Sequence, residues 1–248
     1  MSLLLTAAAI CVIAALAAAA QAVSGFGFAM LSVPLMIPVL GAPSSVVVAT
    51  VLGFVLTIGS TVAERRNVEW RPVLTLSAVA LIGVPIGLAV LQLVDPHWLS
   101  LVIGIVVIGA TVLLARRTPL HLDGRAGIYA AGVLSGALLS STGMNGPPVV
   151  AVFQARGLRP LAFRASLQAA FVIQDVMAIV GFVLVARLTP QIGLLALIAV
   201  PALGIGWWLG DRLFHRIGQG AFRWIVLGML LLSGLLAVIQ AAVQLSAV

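Results

Sequence analysis

The chain has 248 residues, of which 62% are hydrophobic and only 8% are charged, whereas soluble globular proteins carry roughly 25% charged residues. This composition excludes a soluble globular domain and predicts an all-α polytopic membrane protein. The net charge of +7 comes from arginines in short loops between apolar runs, which indicates charge-set membrane topology and argues against a nucleic-acid partner.

Apolar runs of about 20 residues, the length that crosses a bilayer as a helix, recur along the whole chain. A broken apolar element covers residues 3–40 and a second one covers 127–155. Each has a second limb, 28–40 or 147–155, that is short for a full crossing, so each element is either re-entrant or a pair of thin spans. Three uninterrupted runs follow each broken element, over residues 44–63, 72–93, 98–115, 163–186, 188–210 and 223–245.

Both broken elements are interrupted by glycine and polar residues. The first break reads Ser24-Gly25-Phe26-Gly27, and the second reads Ser141-Thr142-Gly143-Met144-Asn145-Gly146, with Gly143 118 residues after Gly25. A single interruption indicates a kink whose backbone is satisfied by neighbouring hydroxyls. Two interruptions at corresponding places favour a transporter whose broken helices bind the substrate.

Further glycines match between the two halves. Gly83 and Gly87 have counterparts in Gly206 and Gly210, 123 residues later. We therefore expect two repeats, residues 1–118 and 119–248, that together form one membrane domain. Each contains a broken hairpin and three helices, and this odd number inverts the second repeat relative to the first. Small residues at four-residue spacing also allow close helix packing, which is the first role expected of these four glycines.

The arginines are divided very unequally between the two faces. Arg187 alone falls on one face, and twelve fall on the other. By the positive-inside rule the arginine-rich face is expected to be cytoplasmic and both termini periplasmic. The twelve arginines, assigned to loops, are Arg65, Arg66, Arg71, Arg116, Arg117, Arg125, Arg156, Arg159, Arg164, Arg212, Arg216 and Arg223.

The string Gly143-Met144-Asn145-Gly146-Pro147-Pro148-Val149-Val150, the glycine-rich first break and the paired GxxxG spans resemble the TauE/SafE sulfite exporter family. The resemblance covers essentially the whole chain. It implies a multi-pass protein of the bacterial inner membrane that exports or carries small sulfur-containing anions, such as sulfite or an organosulfonate like sulfoacetate. The oligomeric state stays open, with a homodimer among the alternatives.

The breaks also suggest an anion site on physical grounds. A helix that begins inside the membrane presents unpaired N–H groups and the positive end of its dipole, and both favour an oxyanion. Glycines let the ligand approach the backbone, and hydroxyl and amide side chains can donate hydrogen bonds. The predicted substrate-binding residues are Ser24, Gly25, Gly27, Thr50, Ser141, Thr142, Gly143, Asn145, Gly146, Ser166, Gln168 and Gln174.

Asp175 is the only acidic residue deep inside an apolar run. A carboxylate at that depth must be protonated, paired or exposed to a wet cavity. Two interpretations are equally supported: Asp175 couples proton movement to transport, or it hydrogen-bonds a neighbouring helix.

The other function classes are less well supported. A channel or permease for another small ion stays an alternative, but His97, His121 and His215 are assigned to loops and no ligand cluster lies within a span. An enzyme would need a nucleophile or metal-ligand constellation, and none is recognised, so no metal or cofactor is expected. A membrane scaffold would have little reason to carry polar residues at paired breaks.

Overall fold

A computed structural model describes residues 3–115, 124–217 and 219–246. Over these residues the chain forms ten α-helices, one short 3-10 helix at Arg65–Asn67 and no β-strand, which confirms the predicted all-α class. The helices are α1 (Leu3–Ser24), α2 (Phe28–Leu40), α3 (Ala42–Glu64), α4 (Trp70–Leu93), α5 (Pro96–Ala115), α6 (Arg125–Thr142), α7 (Gly146–Ala155), α8 (Pro160–Leu184), α9 (Pro190–Ile217) and α10 (Gln219–Ser246).

Six of the described helices are long and apolar enough to cross a membrane: α1, α3, α4, α5, α8 and α9. The chain is therefore a multi-pass membrane protein. The set includes α1, the first limb of a predicted broken element, because its 22 residues extend about 33 Å at 1.5 Å per residue. Helix α10 has 28 residues, but its apolar part among the described residues, Leu227–Val243, is shorter.

The two predicted breaks are confirmed, and both are built on glycine. Helix α1 ends where the Gly25 N–H donates to Gln21 O at 2.8 Å, and α6 ends where the Gly143 N–H donates to Leu139 O at 2.8 Å. The two glycines have nearly the same backbone angle, φ +75° and +77°. This left-handed conformation is strained for residues with a Cβ, so glycine ends each helix at this point.

The helices that follow the breaks are short. Helix α2 has 13 residues and α7 has 10, which correspond to about 20 Å and 15 Å. Neither length crosses a hydrocarbon core of about 30 Å. The first residues of both helices, Phe28 of α2 and Gly146 of α7, are buried, so the two N-termini lie inside the bundle.

The long helices of the first half of the chain pack against helices of the second half. Helix α1 lies along α9, and α4 lies along α6, while α3 contacts α8 and α5 contacts α10. Glycines allow close approach in two of these pairs, α1 with α9 and α4 with α6. A Cβ on Gly206 would meet Ala15 O and one on Gly210 would meet Ala19 O; on α4, a Cβ on Gly83 would meet Val133 O. The predicted packing role of these GxxxG pairs is confirmed.

Gly206→Leu is expected to destabilise the protein by about 3 kcal/mol or more, the upper end of overpacking penalties, because the obstructing atom belongs to the α1 backbone and cannot rotate away. Thermal unfolding of the detergent-purified protein measures the effect. The matched control is Gly109→Leu on α5, where a Cβ meets nothing within 4 Å. Equal losses of stability in both variants would contradict the packing role.

The assignment of arginines and histidines to loops is partly wrong. Arg71, Arg125, Arg164, Arg212, Arg216 and Arg223 lie within helices, as do His97 and His215. The helices continue past their apolar runs because arginine is a good helix former whose long side chain can extend toward water. Arg116, Arg117 and His121 lie outside the described residues.

Candidate functional site

A small cavity lies between the two breaks, midway along the two long helices α3 and α8. Thr50, Gly53 and Thr57 line it from the middle of α3, and Phe171 and Asp175 line it from the middle of α8. Its volume of about 40 Å³ admits a few water molecules or one small ion and excludes a large solute. The other lining residues are Gln21, Phe26, Gly27, Phe28, Ala29, Met30, Ala49, Gly143, Met144, Asn145 and Gly146.

The two breaks approach this cavity from opposite ends of α3. A Cβ on Gly143 would lie 3.7 Å from Val46 O, close to the start of α3. A Cβ on Gly25 would lie 3.8 Å from Arg164 Cγ, and the Arg164 guanidinium is ion-paired at 3.6 Å with Glu64, the last residue of α3. The cavity therefore has one break on each side along the direction of the long helices.

The first break supplies the N-terminus of α2. Gly27 precedes this helix with φ +113°, and the first amide, Phe28 N–H, donates to Gln21 Oε1 at 3.1 Å. The amides of Ala29 and Met30 belong to the same first turn and have no acceptor within the helix. Both residues line the cavity, so the N-terminus of α2, the positive end of its dipole, lies at the cavity wall.

The second break differs from the first in the residues that begin its helix. Helix α7 begins with Gly146, Pro147 and Pro148, and the two prolines have no N–H to offer a ligand. Asn145, which precedes them, lines the cavity, and its Nδ2 donates to Gln174 Oε1 at 3.0 Å. Gln174 is fully buried on α8 and so holds the Asn145 amide in place.

The structure brings about half of the predicted site residues to the cavity wall. Gly27, Thr50, Gly143, Asn145, Gly146 and Asp175 line it. Thr50 lines it although its hydroxyl donates to Val46 O at 2.9 Å within its own helix. Gly25, Gln168 and Gln174 are not part of the cavity wall. Gln168 Nε2 donates to Gly25 O at 2.7 Å, which connects the first break to α8.

Three predicted residues do not contribute a side chain to the lining. The Ser141 and Thr142 hydroxyls donate to Ala137 O and Leu138 O one turn back in α6, each at 2.7 Å. Ser166 Oγ accepts a hydrogen bond from the Glu69 N–H at 2.9 Å, away from the cavity. The side chain of Ser24 lies outside the described part of the structure.

Asp175 is the only ionisable residue in the cavity lining that the structure describes. It is buried, with 5% of its surface exposed. Its Oδ2 faces Gly53 of α3, where a Cβ would lie 3.9 Å away. Among the described residues, none forms an ion pair or a hydrogen bond with its carboxyl group. Any polar partner of this carboxyl group would therefore have to lie in the cavity.

Gln21, Gly53 and Thr57 line the cavity but are not among the residues predicted from the sequence. Gln21 precedes Gly25 by four residues, and positions i and i+4 share one face of a helix. That spacing places the Gln21 side chain on the side of α1 that meets the break. Gly53 and Thr57 follow Thr50 at three- and four-residue steps on α3, so the same rule predicts that they face the cavity with Thr50.

Known proteins resemble this chain over most of its length. A family model described as "Sulfite exporter TauE/SafE" matches residues 10–237. The chain is similar to a protein of Cupriavidus necator named "Probable sulfite/organosulfonate exporter TauE", with 26% identity over 220 residues and 85% of each chain covered. No solved structure matches the chain. Because the family match extends over most of its length, the chain belongs to the TauE/SafE sulfite exporter family, whose members are membrane transporters and not enzymes.

Proposed function

We propose that this protein is a secondary transporter that moves small sulfur-containing oxyanions, either sulfite or an organosulfonate such as sulfoacetate, across the bacterial inner membrane. The substrate binds in the cavity between the two breaks. The observation that carries the proposal is the cavity itself, a space of about 40 Å³ halfway along α3 and α8 into which both helix breaks project.

The donors around the cavity favour an oxyanion over a cation. The cavity is lined by Ala29 and Met30, in the first turn of α2, and by Asn145, which has an amide side chain. First-turn amides have no acceptor within their helix, and an anion at a helix N-terminus is stabilised by the dipole as well as by the hydrogen bonds. The small volume favours a compact XO₃ group over a large solute. Family membership supports a small anionic substrate.

The remaining predicted site residues fit this proposal in supporting positions. Gln168 and Gln174 fix the two breaks from α8 through their hydrogen bonds to Gly25 O and Asn145. The cavity-lining glycines, Gly27, Gly143 and Gly146, leave room beside the backbone for the ligand. Asp175, on the same cavity wall, is the candidate for coupling proton movement to that of the anion.

Alternating access follows from a proposed division into two inverted repeats, residues 1–118 and 119–248. The packing between the two halves supports this division. Helix α1 contacts α9 as α6 contacts α4, while α3 contacts α8 and α5 contacts α10. When the two halves are exchanged, the α1–α9 pair becomes the α6–α4 pair, and the α3–α8 and α5–α10 pairs each map onto themselves. Rocking one repeat against the other would open the cavity to each side in turn. We further propose that the arginine-rich face is cytoplasmic and that both termini are periplasmic.

Asn145→Ala tests the location of the binding site. Removing one hydrogen bond to a charged ligand costs about 1.5–3 kcal/mol, so sulfite should bind at least about tenfold more weakly. Isothermal titration calorimetry of the purified protein with sodium sulfite measures the change. The matched control is Asn67→Ala, at an exposed position in the 3-10 helix, which should bind as the parent does. Unchanged affinity in Asn145→Ala would move the site away from the second break.

A further inference from the structure

Gln21 occupies a position that sets it apart from the other buried polar residues. It lies on α1, four residues before the glycine that ends that helix. Its side chain lines the cavity, and only 3% of its surface is exposed. A buried amide in an apolar bundle is stable only when its donors and acceptor have partners.

The carbonyl of the Gln21 side chain has a partner, and this partner fixes the orientation of the amide. Gln21 Oε1 accepts the hydrogen bond from Phe28 N–H at 3.1 Å. Since a backbone N–H can only donate, rotating the amide by half a turn would set two donors against each other. The NH₂ group of Gln21 must therefore point away from Phe28.

The NH₂ group is the unsatisfied half of this side chain. Gln21 Nε2 is buried and has no hydrogen-bond partner among the described residues. A buried donor without an acceptor destabilises the protein unless something that binds there accepts its hydrogen bond. The cavity that Gln21 lines is where such an acceptor would sit.

We propose that Gln21 binds the substrate directly, with Nε2 donating to one oxygen of the oxyanion, and is a specificity-determining residue of the transporter. This inference rests on the proposed function. One side chain then has two roles. Its carbonyl satisfies the first amide of α2, which leaves the amides of Ala29 and Met30 for the ligand, and its NH₂ group adds a third donor beside them. A ligand with two or more oxygens on one centre satisfies such a set of donors.

Two substitutions separate the roles. Gln21→Glu keeps an oxygen for Phe28 N–H, so the α2 N-terminus stays capped, but it removes the donor and adds a negative charge that repels the anion. We expect sulfite binding to weaken at least about 100-fold from the lost charge-assisted hydrogen bond together with the repulsion. Gln21→Met removes both roles without adding charge and should weaken binding at least about tenfold. The control is Gln154→Glu, the same chemical change at an exposed position of α7.

The measurement is calorimetric titration of each purified variant with sodium sulfite and with sulfoacetate, after size-exclusion chromatography has shown a monodisperse protein. Parent-like affinity in a folded Gln21→Glu or Gln21→Met variant would overturn the role of Gln21 and leave the proposed function standing. If Gln21→Glu does not fold, the uncharged Gln21→Met variant decides the matter. A parent protein that binds neither anion would remove the proposed function and this inference together.

Discussion

Gly53→Leu is expected to abolish anion binding and transport while leaving a folded protein in the membrane. Gly53 lies in the middle of α3 and faces the cavity, where a Cβ would lie 3.7 Å from Phe28 Cδ1 and 3.9 Å from Asp175 Oδ2. Both distances are ordinary contacts, so the first carbon of a side chain is tolerated. The further carbons of leucine would extend into a space of about 40 Å³ and displace the ligand.

Position 53 is a sharper test than the glycines of the breaks. Gly27 and Gly143 have φ +113° and +77°, so any side chain there strains the backbone in addition to filling space. Gly53 has no positive φ, and alanine at a helix interior is about 1 kcal/mol more favourable than glycine. Gly53→Ala is therefore the matched control.

Sulfite titration and flux assays should show binding within about tenfold of the parent for Gly53→Ala and no detectable binding for Gly53→Leu. If a folded Gly53→Leu variant binds sulfite as tightly as the parent, the ligand does not occupy this cavity.

Asp175→Asn is expected to remove the response of transport to a pH gradient. Asparagine nearly matches the shape of aspartic acid but cannot gain or lose a proton. Asp175 is the only ionisable residue among the described residues that line the cavity, and an anion bound there would repel its ionised form. Binding of the anion and protonation of Asp175 should therefore favour each other, so that the anion and a proton are transported together.

Flux in proteoliposomes, with and without an imposed pH gradient, measures this coupling. The parent should respond to the gradient, and Asp175→Asn should transport at the rate that it shows without one. The matched control is Asp95→Asn at an exposed position: Asp95 Oδ1 accepts the His97 N–H at 2.8 Å, and asparagine can accept the same bond. A parent-like response in Asp175→Asn would assign the coupling to another group.

The breaks could be predicted from sequence because glycine and polar residues together seldom interrupt an apolar run unless the helix ends or bends there. The ends of the long helices could not, because helices continue beyond the apolar runs that reveal them. Helix α9 extends to Ile217 and includes Arg212, whose long side chain lets a charged residue stay helical beyond the apolar run.

Side-chain partners were the harder part of the site to predict. Thr50 and Ser166 are both predicted site residues, yet Thr50 lines the cavity and Ser166 accepts the Glu69 N–H. A buried hydroxyl takes whatever partner its neighbours provide, and the partner of Ser166 is 97 residues away in the chain. The role of Gln21 depends in the same way on the Phe28 amide, which only the turn at Gly25 and Gly27 brings within reach.

Uptake of radiolabelled sulfite into proteoliposomes that contain the purified parent protein tests directly whether this protein transports small sulfur-containing oxyanions. We expect saturable sulfite flux that unlabelled sulfite or sulfoacetate reduces by competition and that is absent from proteoliposomes containing Gly53→Leu. Flux in the parent that equals that of protein-free liposomes for both anions would contradict it.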